Sequence, residues 1–431
     1  MTNSISEPQT SDKSTERAPE AAPTQPKHML QDQSQEQSQN ESQEQPLGPR
    51  IQGQMSPDAT LSWIKIPETY AEQEGDAPAP RILIVYTGGT IGMIEDPLTG
   101  TLKPFDFKYF IGGIDKNEYS LYFPKMKRLG YEIEVAAIEP PIDSSNMNPA
   151  RWAEIASIIA KNYERFDGFV VLHGTDTMAY TASALSFMLA NLKKPVILTG
   201  SQLPIGEIRE DGTLNLITAL QIAAARQPHS TEPMVQEVAI AFGRYLWRGN
   251  RTTKVSSTDF GAFRSFNYPS LGQMDLHITF NKKRLLRPKG DGSLQFYPQM
   301  DDAINIISIF PGMSQKILEA ELSVPGLKGA ILRTFGAGNG PTEDWFIGTV
   351  RKAVDAGLIL VNVTACPAGG VEEKRYETGD MLAQVGVLSG YDITCEAALT
   401  KMMHLFGRGL SGAEVKKYLS QSLHGEMTVL E

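Results

Sequence analysis

Ile82-Leu83-Ile84-Val85-Tyr86-Thr87-Gly88-Gly89-Thr90-Ile91-Gly92 runs from an unbroken apolar stretch straight into a glycine-rich turn. An apolar run without polar alternation reads as a strand covered on both faces, as in a sheet flanked by helices. A strand that ends in such a turn delivers whatever follows to the carboxyl edge of the sheet, where open α/β folds bind ligands. Adjacent glycines let the backbone turn sharply and come close to a ligand. Thr87 and Thr90 then present hydroxyls in one crevice. A phosphate cradle is the competing use of the turn. The dinucleotide fingerprint needs G-x-G-x-x-G, whereas these glycines fall at 88, 89 and 92, and no Walker A lysine follows.

Downstream, short apolar runs alternate with longer helical ones. Strands are expected at 81–86, 131–138, 168–173, 195–199 and 237–242, with helices from Trp152 to Tyr163, Met178 to Leu192 and Leu214 to Ala225. The first of these helices follows Asn148-Pro149, a start signal with proline in the first turn. Strand–helix alternation with short connections predicts a parallel, doubly wound sheet. A polar stretch around 265–300, with Lys289-Gly290-Asp291-Gly292, reads as a linker over 271–300. A second series then begins: strands 303–309, 329–334 and 357–363, helices 314–322 and 343–356, and two C-terminal helices, the last opening at Ser411-Gly412-Ala413-Glu414. The expected architecture is therefore α/β with two domains. A larger N-terminal doubly wound (flavodoxin-like) sheet domain occupies 79–270, and a smaller C-terminal Rossmann-like α/β domain occupies 301–431.

Residues 1–78 differ in kind. They are rich in Gln, Ser, Glu and Pro, as in QDQSQEQSQNESQEQ at 31–45, and bury too little apolar surface to offset ordering entropy, so a disordered tail is expected. The semi-apolar patch Leu61-Ser62-Trp63-Ile64-Lys65-Ile66 is the part able to dock on the folded body.

The 431 residues carry 40 Lys and Arg against 50 Asp and Glu, a net charge of −10, which offers no basic footprint for nucleic acid or an anionic membrane. Two cysteines, Cys366 and Cys395, cannot build a disulfide framework and suit a reducing compartment. The start of the sequence lacks the apolar core of a secretory signal, and no run reaches the roughly 20 apolar residues of a membrane span. A cytoplasmic protein is expected, with neither nucleic acid nor membrane as partner.

Three more segments place polar groups just after expected strands. His173-Gly174-Thr175-Asp176-Thr177 could cap the next helix, but a cap needs only one of them. Arg248-Gly249-Asn250-Arg251-Thr252-Thr253-Lys254 offers a lysine, which beside a hydroxyl in a partly dry site accepts protons or stabilises charge. Asp143-Ser144-Ser145-Asn146 has the composition of a turn and also of a grip for the charged end of an amino acid.

Together, YTGGTIGM at 86–93, DSSNM at 143–147, HGTDTMAYTASALSFML at 173–189, TGSQLP at 199–204 and GNRTTK at 249–254 resemble the L-asparaginases of the bacterial, cytoplasmic (type I) kind. The likeness extends from about residue 81 to the C-terminus, through LRTFGAGNGP at 332–341 and DITCEAALTKMMHLF at 392–406. Each motif is weak alone; in family order and at compatible spacings they are specific.

The resemblance implies hydrolysis of the asparagine side-chain amide to aspartate and ammonia, without metal or cofactor. It assigns Thr90 as nucleophile and Thr175, Asp176 and Lys254 as a hydrogen-bonded set beside the amide. Asp143, Ser144, Ser145, Thr175 and Asp176 would hold the substrate's α-amino and α-carboxylate groups. It also implies an effector site for asparagine at Thr253, Arg333 and Cys366, and assembly into a homodimer or homotetramer, with Asn339 and Glu396 completing a neighbour's site. One departure stands out. Family members often carry a tyrosine on the loop after the first motif; here Glu95-Asp96-Pro97-Leu98-Thr99-Gly100-Thr101-Leu102-Lys103-Pro104 has Thr101 near that place, and Tyr109 is the nearest tyrosine. Two other readings compete: the related archaeal protein that releases ammonia for transamidation of glutamyl-tRNA, and a nucleotide-binding module without hydrolytic activity.

Overall fold

The computed structural model describes residues 60–65, 78–95, 99, 102–104, 128–205, 207–288, 292–372 and 377–429. Apart from residues 60–65 and 78, the expected disordered tail lies outside them, as do Thr101 and Tyr109.

The first sheet has nine strands: β1 (Thr60–Lys65), β2 (Arg81–Tyr86), β3 (Glu132–Glu139), β4 (Gly168–Leu172), β5 (Val196–Thr199), β6 (Val238–Phe242), β7 (Tyr245–Arg248), β8 (Gly272–Met274) and β9 (Ile278–Phe280). Their spatial order is β1-β3-β2-β4-β5-β6-β7-β8-β9. From β3 to β6 every pairing is parallel, whereas β1 and β7 to β9 add antiparallel edges. The parallel core thus follows the doubly wound order 2-1-3-4-5, as its sequence pattern predicts.

Two expectations are corrected here. Within the patch at 61–66, Leu61 to Lys65 pair with β3, Leu61 opposite Ile138 and Trp63 opposite Ala136, so this part of the expected tail is a strand of the sheet. Residues 272–280 also join the sheet instead of linking domains, because Leu246 and Tyr245 leave an open edge that Gly272 and Gln273 complete.

Period-two alternation sorts β2 onto both faces. Leu83 and Val85 enter the core beneath α1 (Pro149–Lys161) and α2 (Met178–Met188). Ile82, Ile84 and Tyr86 enter the opposite core beneath α3 (Gly212–Ala224). Asn148 caps α1 by accepting from the Arg151 N–H at 3.1 Å, as its Asn-Pro signal predicts. α2 is shorter than expected, because Leu189 and Ala190 leave the helix to pair with Phe296 and Gln295.

The second sheet is parallel throughout: β10 (Ile304–Ser308), β11 (Gly329–Thr334), β12 (Ile359–Thr364) and β13 (Leu388–Ser389), in that order. α4 (Gln315–Leu322), α5 (Asp344–Asp355) and α6 (Glu377–Gln384) cover one face. α7 (Cys395–Gly407) and α8 (Gly412–Leu419) cover the other, and Ser411 with Glu414 forms the capping box expected from the sequence. Both sheets lie within one compact unit.

Candidate active site

Chain progression reverses between β2 and β4, the switch point at which doubly wound sheets bind ligands. The loops after these two strands carry Thr90 and Thr175. Gly88 and Gly89 have φ of +124° and +89°, a region closed to ordinary side chains. A Cβ on Gly88 would lie 2.6 Å from the Ile142 nitrogen, and one on Gly89 would lie 2.5 Å from the Gly174 Cα. A Cβ on Gly174 would in turn lie 2.6 Å from the Ser144 Oγ. The loop at 87–92 is therefore packed backbone to backbone against Ile142 and Gly174, and Gly174 in turn lies against the Ser144 side chain.

The two threonines of the first turn have different duties. Thr87 is fully buried, and its hydroxyl donates to the Leu172 carbonyl at 2.9 Å while its N–H donates to the same carbonyl at 3.0 Å. It locks β2 to β4. Thr90 opens a short 3-10 turn, Thr90–Gly92, and is only partly buried. The segment beyond doubles back, with Met93–Glu95 paired antiparallel to Leu102–Pro104.

Lys254 comes in from the far side. Its Nζ donates to the Thr175 Oγ at 2.8 Å and to an Asp176 carboxylate oxygen at 2.7 Å. Thr175 is buried, whereas the Asp176 side chain is 64% exposed. Neither residue caps α2: Thr177 holds that position, and its hydroxyl donates to the Ser144 carbonyl at 2.7 Å. Asp143 spends its carboxylate on the Ser145 N–H at 2.9 Å, which shapes the short turn Ser144–Asn146 and leaves Ser145 exposed.

His173, at the head of the second of these loops, acts as a fixed pin. Its Nδ1 donates to the Gly174 carbonyl at 2.7 Å, so Nε2 is the acceptor for the Thr181 hydroxyl at 2.8 Å. Burial pushes its pKa down from 6.5 to about 4, against the raising effect of the Gly174 bond. Burial likewise pushes His404 down to about 3. Both rings are neutral in the fold, while the unfolded chain protonates them near pH 6.5. Stability is therefore fully present above that pH and is lost as pH falls toward the folded values, by about 3 kcal/mol for His173. We expect the thermal midpoint to fall steeply between pH 6.5 and 4; a scanning-fluorimetry midpoint flat across that window would contradict this.

The segment bearing Lys254 is fastened at its base. Arg248 forms a buried ion pair with Glu237 at 2.7 Å. Gly249–Arg251 makes a 3-10 turn from which Asn250 donates to the His424 carbonyl at 3.1 Å. Arg251 donates to the Gly425 carbonyl at 2.7 Å and to the Thr428 hydroxyl at 3.0 Å, and pairs with Asp392 at 2.8 Å. The partners at 424–428 are held by a buried Lys401–Glu426 pair at 2.8 Å. The second sheet's helices thus anchor the lysine of the first. No motif marks Leu423–Thr428 in the sequence.

Of the residues expected at an effector site, Thr253 and Arg333 meet around Glu396. The Thr253 hydroxyl donates to the Glu396 carboxylate at 2.5 Å, and Arg333 is a charged neighbour of the same carboxylate. Burial raises the Glu396 pKa, and it lifts the neighbouring Cys395 thiol to about 12. Glu396 is thus hydrogen-bonded within its own chain to Thr253. Cys366 is exposed, where a small buried residue is the alternative that its position after a strand suggests. Asn339 exchanges backbone hydrogen bonds with Phe335 and has a buried Oδ1 without a partner. Among the described residues no cluster of His, Cys, Asp and Glu is arranged to hold a metal ion, and no helix is long and apolar enough to cross a membrane.

Comparison with known proteins finds two family models in tandem: Asparaginase, N-terminal, over residues 81–286, and Glutaminase/Asparaginase C-terminal domain, over residues 303–419. The chain is 41% identical over 356 residues to L-asparaginase 1 of Escherichia coli (strain K12), covering 80% of this chain and 98% of that one. The crystal structure of L-asparaginase I from Vibrio cholerae O1 biovar eltor str. N16961 superposes with a TM-score of 0.71 at 40% identity, over 81% of this chain and 99% of that one. A component of the glutamyl-tRNA(Gln) amidotransferase of Pyrococcus abyssi (strain GE5 / Orsay) is 31% identical over 371 residues, 84% of this chain and 80% of that one.

Proposed function

This chain belongs to the asparaginase family, and from that footing we propose that it hydrolyses L-asparagine to L-aspartate and ammonia, with Thr90 carrying the acyl group. The observation behind the assignment is Lys254 bridging Thr175 and Asp176 at the switch point, with Thr90 on the turn after the neighbouring strand. A covalent step splits one difficult amide displacement into two easier ones. Thr90 Oγ attacks the side-chain carbonyl carbon; the C–N bond breaks, and the proton lost by Thr90 leaves on ammonia. Water then attacks the ester, its hydroxyl joining the acyl carbon and its proton returning to Thr90. The Thr175–Lys254–Asp176 set moves those protons, and N–H groups of the tight turns at Gly89 and Thr175 receive the oxyanion. Asp143, Ser144, Ser145, Thr175 and Asp176 hold the α-amino and α-carboxylate groups.

No step in this scheme calls on a cofactor. We assign the enzyme to the cytoplasm, acting as a homodimer or homotetramer in which Asn339 and Glu396 contribute at a boundary between protomers. Asparagine as an effector at Thr253, Arg333 and Cys366 completes the proposal. The archaeal transamidation protein is the weaker alternative, since the likeness to it is 31% against 41% for the bacterial enzyme. One steady-state curve of ammonia release against asparagine tests the whole. We expect turnover on asparagine to exceed that on glutamine many-fold, with a sigmoidal rise from the effector site. Silence on both amides at millimolar concentration would remove the assignment, a hyperbolic curve would remove the effector, and turnover that needs a second protein or tRNA would favour the transamidation reading.

A further inference from the structure

Gln202 lies beside the lysine set, in a loop held for no evident structural purpose of its own. Asp211 opens α3, yet its carboxylate does not cap that helix. It accepts instead from the Gln202 N–H at 3.0 Å, from the Leu203 N–H at 3.1 Å and from Asn215 Nδ2 at 3.1 Å. The loop after β5 is thereby fixed from behind. The side chain of Gln202 is fixed at its tip as well: Nε2 donates to the Asp259 carbonyl at 3.0 Å. A carbonyl can only accept, so this contact sets the amide's orientation and turns Oε1 toward Thr175, whose hydroxyl donates to it at 3.3 Å.

The hydrogen-bond count at Thr175 is then complete on all but one side. A hydroxyl has one donor and two acceptor positions. Gln202 takes the donor, and Lys254 fills one acceptor position at 2.8 Å. A single lone pair remains. We propose that Gln202 is a positioning residue for Thr175: by holding the hydroxyl proton on its own carbonyl, it leaves that one lone pair free for the hydrogen of the attacking hydroxyl or water. Without Gln202 the Thr175 proton swings freely and is as often a competing donor as an open acceptor. This rests on the role given to Thr175 in the reaction above.

Two substitutions test it. Gln202→Met keeps the length of the side chain and removes the acceptor. We expect kcat for asparagine to fall about tenfold, the size of one lost hydrogen bond, with KM moving less than about threefold and the thermal midpoint close to wild type. Gln202→Glu reads the direction of the bonds. Protonated, its O–H donates to the Asp259 carbonyl and its C=O accepts from Thr175, reproducing glutamine. Ionised, it sets an oxygen against that carbonyl and draws Lys254 from Thr175. The charged groups around it are Lys254, which shares Thr175 with it, Asp259, whose carbonyl it meets and whose carboxylate accepts from the Gly261 N–H, and the Asp211 carboxylate behind the loop. The ratio of Gln202→Glu to wild-type kcat should therefore rise several-fold as pH is lowered from 8 to 5. Wild-type kcat in Gln202→Met, or a ratio that stays flat with pH, would overturn the proposal while leaving the amidase reading in place. A wild-type protein that releases no ammonia would remove both.

Discussion

Thr90→Ala is expected to lower kcat for asparagine by at least about 10⁴-fold, as removal of a covalent nucleophile does when its partners act as a unit. The size of the effect follows from what the neighbouring threonine is doing. Thr87 cannot stand in, because its hydroxyl is fully buried and committed to the Leu172 carbonyl. Thr175 cannot readily stand in either, being bonded to both Lys254 and Gln202. Thr90→Ser should retain measurable turnover, since it keeps the hydroxyl. Ammonia release under saturating asparagine, with the thermal midpoint recorded alongside, is the measurement. An alanine variant within tenfold of wild type would move the nucleophile elsewhere, and Thr175→Ala would be the next to make.

Glu426→Ala is expected to cost the most in stability. Lys401 and Glu426 have side chains 1% and 0% exposed, so removing the carboxylate leaves a buried charge with only the Leu419 and Gln421 carbonyls for company. Breaking such a pair from one side costs about 3–5 kcal/mol. Glu426 also accepts from the Leu423 and His424 N–H groups, which lose their partner at the same time. The urea midpoint should drop accordingly. The double variant Lys401→Met with Glu426→Leu should recover much of the loss, because it removes both charges and fills the space. A single variant as stable as wild type would mean that water reaches the pair in solution.

The sequence was most legible where one signal sufficed. Apolar runs without alternation located β2, β4, β5 and β6 to within a residue, because strands buried on both faces have no polar side to blur them. Asn148-Pro149 and Ser411-Gly412-Ala413-Glu414 fixed helix starts for the same reason: each cap is a local hydrogen bond. The long second helix was over-extended, since nothing in Leu189-Ala190 announces that Gln295 and Phe296 will claim it from a hundred residues away. Pairing at distance also explains the strand at 60–65, where the sequence alone shows a semi-apolar patch, and the two at 272–280, which read as irregular when taken alone.

Among the candidate site residues, Lys254 joins Thr175 to Asp176, and Glu396 accepts from Thr253. Gln202 lay in plain sight within TGSQLP, yet its significance depends on the Asp259 carbonyl and the Asp211 carboxylate, neither of which belongs to a motif. Side chains that act through others leave a weaker trace than those that react.

The fastening of Asn250 and Arg251 to residues 424–428 separates two kinds of information. Thr90, Ser144, Thr175, Asp176 and Lys254 all fall within residues 81–286, the first of the two family segments. The ties that hold the lysine in line come from the other end of the chain, from α7, Asp392 and the stretch around Glu426. On the ribosome the full set proposed to react is therefore made before the parts that align it. The ingredients of the chemistry are inherited from one half of the chain, and their readiness from the other.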